Sequence, residues 1–337
     1  MSSTPTLKVF APYDAVCLGE VPLSNATEVE QALTTATATF QQREKWLSVP
    51  KRIAILSKFA ALITQHGDDL IQTACAEGGK PLVDSKIEHI RCVDSIQICI
   101  DSLRTQTAEP VHMGSNAASM NRLITQSLEP IGVVVAVSAF NHPLNLIAHQ
   151  VSPAVAAGCP VIIKPAEDTP LSCLALVKLL HQAGLAKAWC QMVMPESIAL
   201  AQTMVTDSRV AFFSFIGSAK VGWYLRSQLA AGTRCALEHG GSAPVIVEKD
   251  VDIAAILPSL VKGAFYHAGQ VCVSVQRVFV HRSIAQELAQ AMTNAALSLK
   301  VGNPLDEATQ VGPLIRAGEV QRVDTWVQEA VAAGAEL

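Results

Sequence analysis

The sequence predicts an α/β protein whose strands lie mostly parallel in one sheet. Three observations carry that prediction. Between Pro130 and Leu229, apolar β-branched runs alternate with helix-length segments, the pattern of βαβ units. The first run, residues 131–138, has no polar face, as a strand covered on both sides requires. The chain has 337 residues, 50% of them hydrophobic and 16% charged, enough for a large core and about two domains.

Residues 25–80 have helical spacing. Asn25 or Thr27 can cap, and Pro50 suits a first turn. Ile53, Ile55, Leu56, Phe59, Leu62 and Ile63 form one apolar stripe that must pack against something, and Gly78-Gly79 ends it. A second helix covers 87–103, and polar and apolar residues alternate around 121–128 in an extended excursion. Strands are then expected at 131–138, 161–164, 190–194 and 210–215, with helices at 143–157, 170–183, 197–204 and 218–229. A domain change is placed at Gly240-Gly241. Beyond it come strand 244–247, helix 251–267, strand 277–281, helix 284–297 and a last helix at 323–333.

Composition excludes several classes. A net charge of −4 without a basic cluster argues against nucleic acid or an anionic membrane surface as a partner. The opening MSSTPTLKVF lacks the charged and apolar regions of a secretory signal, and the apolar run ending at Phe140 falls far short of the ~20 residues that span a bilayer. A cytoplasmic setting is expected. Nine cysteines, odd in number and with no C-x-x-C, fit neither a disulfide framework nor a zinc site, so no metal is expected.

Five segments can carry chemistry. Cys272, in Gly269-Gln270-Val271-Cys272, sits at a helix-to-strand junction that can present a nucleophilic thiol; taken alone, its more ordinary reading is a buried apolar cysteine. Glu238, before Gly240-Gly241, suits a general base or a solvated turn. Gly217-Ser218 opens a helix after a strand, which favours a phosphate or is a plain cap; G-x-G-x-x-G and the P-loop are both absent. Lys164 and Glu167 follow a buried strand, where open sheets bind ligands, or are solvated loop charges. Asn141, in Ser138-Ala139-Phe140-Asn141-His142-Pro143, can donate to an oxyanion or merely cap a helix.

In order and context these segments resemble the aldehyde dehydrogenase superfamily, from about Leu23 to the last residue. The matching stretches include Glu129-Pro130-Ile131-Gly132-Val133, Phe140-Asn141-His142-Pro143, Lys164-Pro165-Ala166-Glu167, Phe215-Ile216-Gly217-Ser218, Leu237-Glu238-His239-Gly240-Gly241, Gly269-Gln270-Val271-Cys272 and Val311-Gly312-Pro313-Leu314-Ile315. Glu238 and Cys272 stand 34 residues apart, as the family's base and nucleophile motifs do. The lactaldehyde, non-phosphorylating glyceraldehyde-3-phosphate and phosphonoacetaldehyde branch is the most similar.

The resemblance implies a Rossmann-like parallel-sheet cofactor domain (1–113 and 129–240), an oligomerisation excursion (114–128) and the N-terminal part of an α/β catalytic domain (241–337). It implies oxidation of a small aldehyde to its acid with NAD, NADP remaining open, in a homodimer or homotetramer. Cys272 would be the nucleophile, Asn141 and the Cys272 N–H the oxyanion donors, and Glu238 the base that activates water. Lys164 and Glu167 would hold the adenosine ribose, Gly217 and Ser218 the pyrophosphate, with Ser138 and Ala139 beside the cofactor. Glu167 would repel a 2′-phosphate. His142, Asn145 and His149 fall where the family's substrate pocket begins and point to a polar or anionic aldehyde.

The chain departs from the family pattern at His239, Ser242 and His267, and at Met192-Val193-Met194-Pro195, which lacks the usual glycine. The family's closing Glu-Glu-x-Phe-Gly-Pro stretch would lie beyond Leu337, so the chain reads as cut within the catalytic domain. The alternative function is a catalytically incomplete remnant that binds nucleotide or a partner subunit; a lesser one is ester hydrolysis at Cys272.

Overall fold

The computed structural model describes residues 5–107 and 109–336. The chain opens with an antiparallel hairpin, β1 (Thr6–Phe10) and β2 (Cys17–Pro22), which the sequence pattern did not disclose. Four helices follow: α1 (Ala26–Gln41), α2 (Val49–Gln65), α3 (Gly67–Gly78) and α4 (Leu82–Thr105). Asn25 caps α1 through a reciprocal box: the Glu28 N–H donates to Asn25 Oδ1 (3.0 Å) and the Asn25 N–H to Glu28 Oε2 (2.9 Å). The helical stretch read over 25–80 is thus three helices, and α4 opens at Leu82, directly after Pro81, rather than at 87. Gly79, at φ +72°, ends α3 as left-handed glycines do.

The turn between α3 and α4 is locked to a distant segment. The Leu82 N–H donates to the Pro304 carbonyl (2.9 Å) and the Cys75 thiol to the same oxygen (3.1 Å). Gly312 lies so close to the Gly79 carbonyl that a Cβ has no room.

Strands β3 (Glu109–Val111) and β4 (Ile124–Gln126) form an exposed antiparallel ribbon, so the excursion starts ahead of residue 114. A βαβ series follows: β5 (Val133–Val137), α5 (Asn145–Ala157), β6 (Val161–Lys164), α6 (Pro170–Gln182), β7 (Cys190–Met192), α7 (Ile198–Thr206), β8 (Val210–Gly217), α8 (Ala219–Gln228) and β9 (Arg234–His239). The strands form one parallel sheet in the order β7-β6-β5-β8-β9. Alternate residues of β5 serve opposite faces. Val134 and Ala136 join a core with Phe59, Ile96 and Leu176 of α2, α4 and α6. Val133 and Val135 join Leu33, Met204 and Leu225 of α1, α7 and α8. That two-sided cover explains the wholly apolar run.

Beyond the sheet lie β10 (Val245–Val247), α9 (Ile253–Phe265), β11 (Val278–Val280), α10 (Ala285–Leu297) and α11 (Ala317–Ala332). β10 pairs with β11 in parallel, and Val247, Leu260 and Leu288 form a small core between them and the two helices α9 and α10. Among the described residues no helix is long and apolar enough to cross a membrane. No described group of His, Cys, Asp and Glu gathers as a metal site, and all nine cysteines are free.

Glu77, buried at the end of α3, caps a neighbouring helix: its two oxygens accept the N–H groups of Leu171 and Ser172 at the start of α6, both at 2.8 Å. Burial outweighs these bonds and pushes its carboxyl from the ordinary 4.5 up to about 7. Between those values the native state keeps a proton that the unfolded chain has released. The stability from this group is therefore complete below pH 4.5 and lost as pH rises through 7, a change of about 3 kcal/mol at most. Glu77→Gln, which cannot titrate, is expected to narrow the difference between urea midpoints measured at pH 5 and pH 8. An unchanged difference would refute this assignment.

Candidate active site

Crossovers leave β5 for one flank of the sheet and β8 for the other, and a cleft of about 720 Å³ opens at their carboxyl ends, where open parallel sheets bind ligands. β5 delivers Ser138, Ala139 and Asn141 to its lining, β8 delivers Gly217 and Ser218, β9 delivers Glu238, and the loop after α9 delivers Cys272. These seven residues therefore meet in one cleft. Gln150 of α5 fixes the two central strands, donating from Nε2 to the Val137 and Ser214 carbonyls, both at 3.1 Å.

Lys164 and Glu167 do not line the cleft. They flank it at the end of β6, paired at 3.6 Å, with Ala166 between them in the lining.

Cys272 is exposed in a tightly built loop. His267, Ala268 and Gly269 have φ of +49°, +54° and +76°, a left-handed run costly for the two residues that carry a Cβ. Gln270 staples this loop to the segment before α11. Its Oε1 accepts the Ile315 N–H (2.9 Å), while Nε2 donates to the carbonyls of Pro313 (3.3 Å) and His267 (3.2 Å). The Ser274 hydroxyl donates to the Gly269 carbonyl (3.0 Å).

Asn141 connects this loop to the sheet. Its Nδ2 donates to the Gln270 carbonyl (2.9 Å), which also fixes which amide atom is nitrogen, and its backbone carbonyl accepts from Lys80 Nζ (3.1 Å). One Nδ2 hydrogen remains for the cleft. Glu238 stands exposed on the edge strand β9. After it, Gly241 packs against the Cys272 carbonyl, where an added Cβ would sit 2.9 Å from that oxygen. The missing Cβ of Gly241 is what lets the carboxylate strand and the thiol loop approach so closely.

Two histidines beside the site, His142 and His267, are held neutral. Burial pushes His142 down to about 2 and His267 well below its ordinary range. His142 lines the cleft, stacks on Tyr266 with ring centroids 5.9 Å apart, and lies 3.3 Å from the Tyr266 hydroxyl. Asn145 is buried and accepts from the Ser95 hydroxyl (3.1 Å), and His149 meets that hydroxyl at 2.8 Å. Of these three residues, only His142 reaches the cleft. A charged histidine pocket for an anionic aldehyde is not what they form.

Sequence reasoning missed one wall. Glu319, Arg322, Val323 and Trp326 of α11 line one side of the cleft. Arg322 pairs with Glu319 (2.6 Å) and stacks on Trp326 (4.4 Å to the ring centre). Their spacing of three, four and seven residues marks one helix face and is the signal that could have revealed them.

A nicotinamide dinucleotide suits the sheet side of the cleft. Ser218 caps the ten-residue α8, whose first N–H groups favour phosphate, and the Ser138 hydroxyl is buried there without a partner.

Comparison with known proteins places this architecture. The profile of the aldehyde dehydrogenase family matches residues 1–337. The 3-sulfolactaldehyde dehydrogenase of Priestia aryabhattai is 34% identical over 332 residues, covering 98% of this chain and 69% of that protein. The crystal structure of glyceraldehyde-3-phosphate dehydrogenase GapN from Methanocaldococcus jannaschii, complexed with NADP, superposes with a TM-score of 0.93 at 31% identity, over 99% of this chain and 72% of that one. Aldehyde dehydrogenase 21 from Physcomitrella patens, in complex with the reaction product succinate, gives 0.94 at 32% identity, over 99% and 69%. A parallel sheet with its cleft at the strand reversal, matched along its whole length by this profile and these structures, makes the chain a member of the aldehyde dehydrogenase family, an NAD(P)-dependent oxidoreductase.

Proposed function

We propose that this chain oxidises an aldehyde to its carboxylic acid by covalent catalysis at Cys272. The observation that carries the reading is the meeting of Cys272, Asn141 and Glu238 in one cleft with Ser138, Gly217 and Ser218. Cys272, as thiolate, bonds to the carbonyl carbon. The free Nδ2 hydrogen of Asn141 and the Cys272 N–H receive the developing oxyanion. Bound NAD(P) supplies the acceptor for the hydride whose departure turns the thiohemiacetal on Cys272 into a thioester. Glu238 takes a proton from water, whose oxygen bonds to the acyl carbon as the carbon–sulfur bond breaks. The acid leaves and the thiolate is restored.

Ser218 and Gly217 would hold the cofactor's pyrophosphate, Ser138 and Ala139 its path along β5, and Lys164 with Glu167 the adenosine ribose. The negative charge of Glu167 favours NAD over NADP. The partner surface is a second copy of the chain: the exposed β3–β4 ribbon region carries Leu123, Leu128 and Met120 at 87%, 74% and 60% exposure. Nine free cysteines suit a reducing, cytoplasmic setting.

NAD(P)H formation from a panel of short aldehydes, followed by near-ultraviolet absorbance, tests the reading. Cys272→Ala should lower turnover at least about 10³-fold, and unchanged turnover would remove the nucleophile. Glu238→Gln should leave a first burst of NAD(P)H and slow every later cycle; a wild-type steady state would displace Glu238 as base. In Glu167→Gln the ratio of kcat/KM for NADP to that for NAD should rise at least about fivefold, and a constant ratio would show that this carboxylate does not select the cofactor.

A further inference from the structure

The buried ion pair of Lys80 and Glu88 has no part in the chemistry described so far, yet every polar group it offers is turned toward Asn141 and the helix behind it. Both side chains have zero exposure. Glu88 Oε2 pairs with Lys80 Nζ, and Glu88 Oε1 accepts the N–H groups of Leu144 (2.8 Å) and Asn145 (2.9 Å). These amides open α5, which has no capping side chain of its own. Lys80 Nζ also donates to the Asn141 carbonyl (3.1 Å). One pair, carried by the turn after α3 and by α4, thus grips residues 141–145 at both ends.

Stability alone does not account for such a pair. Removing two charges from water costs several kcal/mol for each ion, and apolar replacements of similar volume are often neutral or stabilising. What apolar residues cannot do is hold a carbonyl and two amides at fixed points. The loop so held carries the Asn141 amide, whose other tie, to the Gln270 carbonyl, lies two residues from Cys272.

Resting on the covalent reading above, we propose that Lys80 and Glu88 are positioning residues for the oxyanion site. They fix the Asn141 backbone so that its free amide hydrogen faces the carbonyl attacked by Cys272. A displacement of about 1 Å in such a donor costs on the order of 10²-fold in rate.

The test is a double-mutant cycle between Asn141→Ala and the neutral pair Lys80→Met/Glu88→Gln, which keeps an acceptor for the α5 amides and removes the bond to Asn141. Steady-state kinetics use the best aldehyde of the panel, NAD binding is read by fluorescence quenching, and iodoacetamide alkylation of Cys272, which needs no oxyanion donor, is followed by mass spectrometry. The neutral pair is expected to lower kcat at least about tenfold, with NAD affinity and Cys272 alkylation unchanged. In the Asn141→Ala background it should cost less than about twofold more, because the group being positioned is gone.

Glu88→Asp keeps both charges while drawing the carboxylate back, and should lower kcat in the same pattern even where the neutral pair fails to fold. If Asn141→Ala slows turnover but the pair variants leave kcat unchanged, or multiply fully with Asn141→Ala, the positioning role is overturned and the covalent reading stands. If Asn141→Ala leaves kcat unchanged, the oxyanion assignment falls and takes this proposal with it.

Discussion

Reversal of crossover direction at β5 is the constraint on which the site depends. From β5 the chain steps outward through β6 to β7, then returns to lay β8 and β9 on the opposite flank. Right-handed crossovers consequently send α5 and α6 to one face and α8 to the other, as the two separate cores confirm. The connections leaving β5 and β8 diverge, and no backbone fills the space between them. Ser138, Asn141, Gly217 and Ser218 border that space because each follows or ends a strand at the divergence. Their shared surroundings are a property of topology before they are a property of side chains.

Much of this was legible in the sequence, for physical reasons that also explain what was not. The 131–138 run announced a doubly covered strand because every residue of β5 contributes to one core or the other. Cys272, Glu238 and Asn141 were legible because glycines and strand ends surround them. The β1–β2 hairpin was hidden: its strands are short, and Phe10 and Leu18 remain exposed, so no clean alternation exists. Lys80 and Glu88 were hidden because charged residues are ordinarily solvated, and nothing local marks a pair eight residues apart as buried. The α11 wall was hidden for a related reason. Its apolar face looks like one that seeks a core, whereas Val323 and Trp326 border open space.

The thiol loop illustrates how local strain is offset by distant ties. Three successive left-handed residues would not hold in an isolated peptide. Here Gln270 anchors them to residues 313–315, Ser274 closes the loop upon itself, and Gly241 packs against the Cys272 carbonyl. His267 contributes packing against Phe140, with ring centroids 6.3 Å apart, and no hydrogen bond from either ring nitrogen. The position thus trades an imidazole's polar capacity for shape, in a ring that burial and the nearby Lys80 charge keep neutral.

The closure of the Gly79 turn against Pro304 and Gly312 has a consequence for biosynthesis. Cys75 and its acceptor Pro304 are 229 residues apart. At about 5–20 residues per second of synthesis, the ribosome needs roughly 10 to 45 seconds to deliver the second partner after the first. Throughout that interval the corner carrying Lys80 lacks its outer wall, however early the neighbouring helices form. The last shell around this buried charge is therefore assembled late, by chain that emerges well after the parallel sheet is complete.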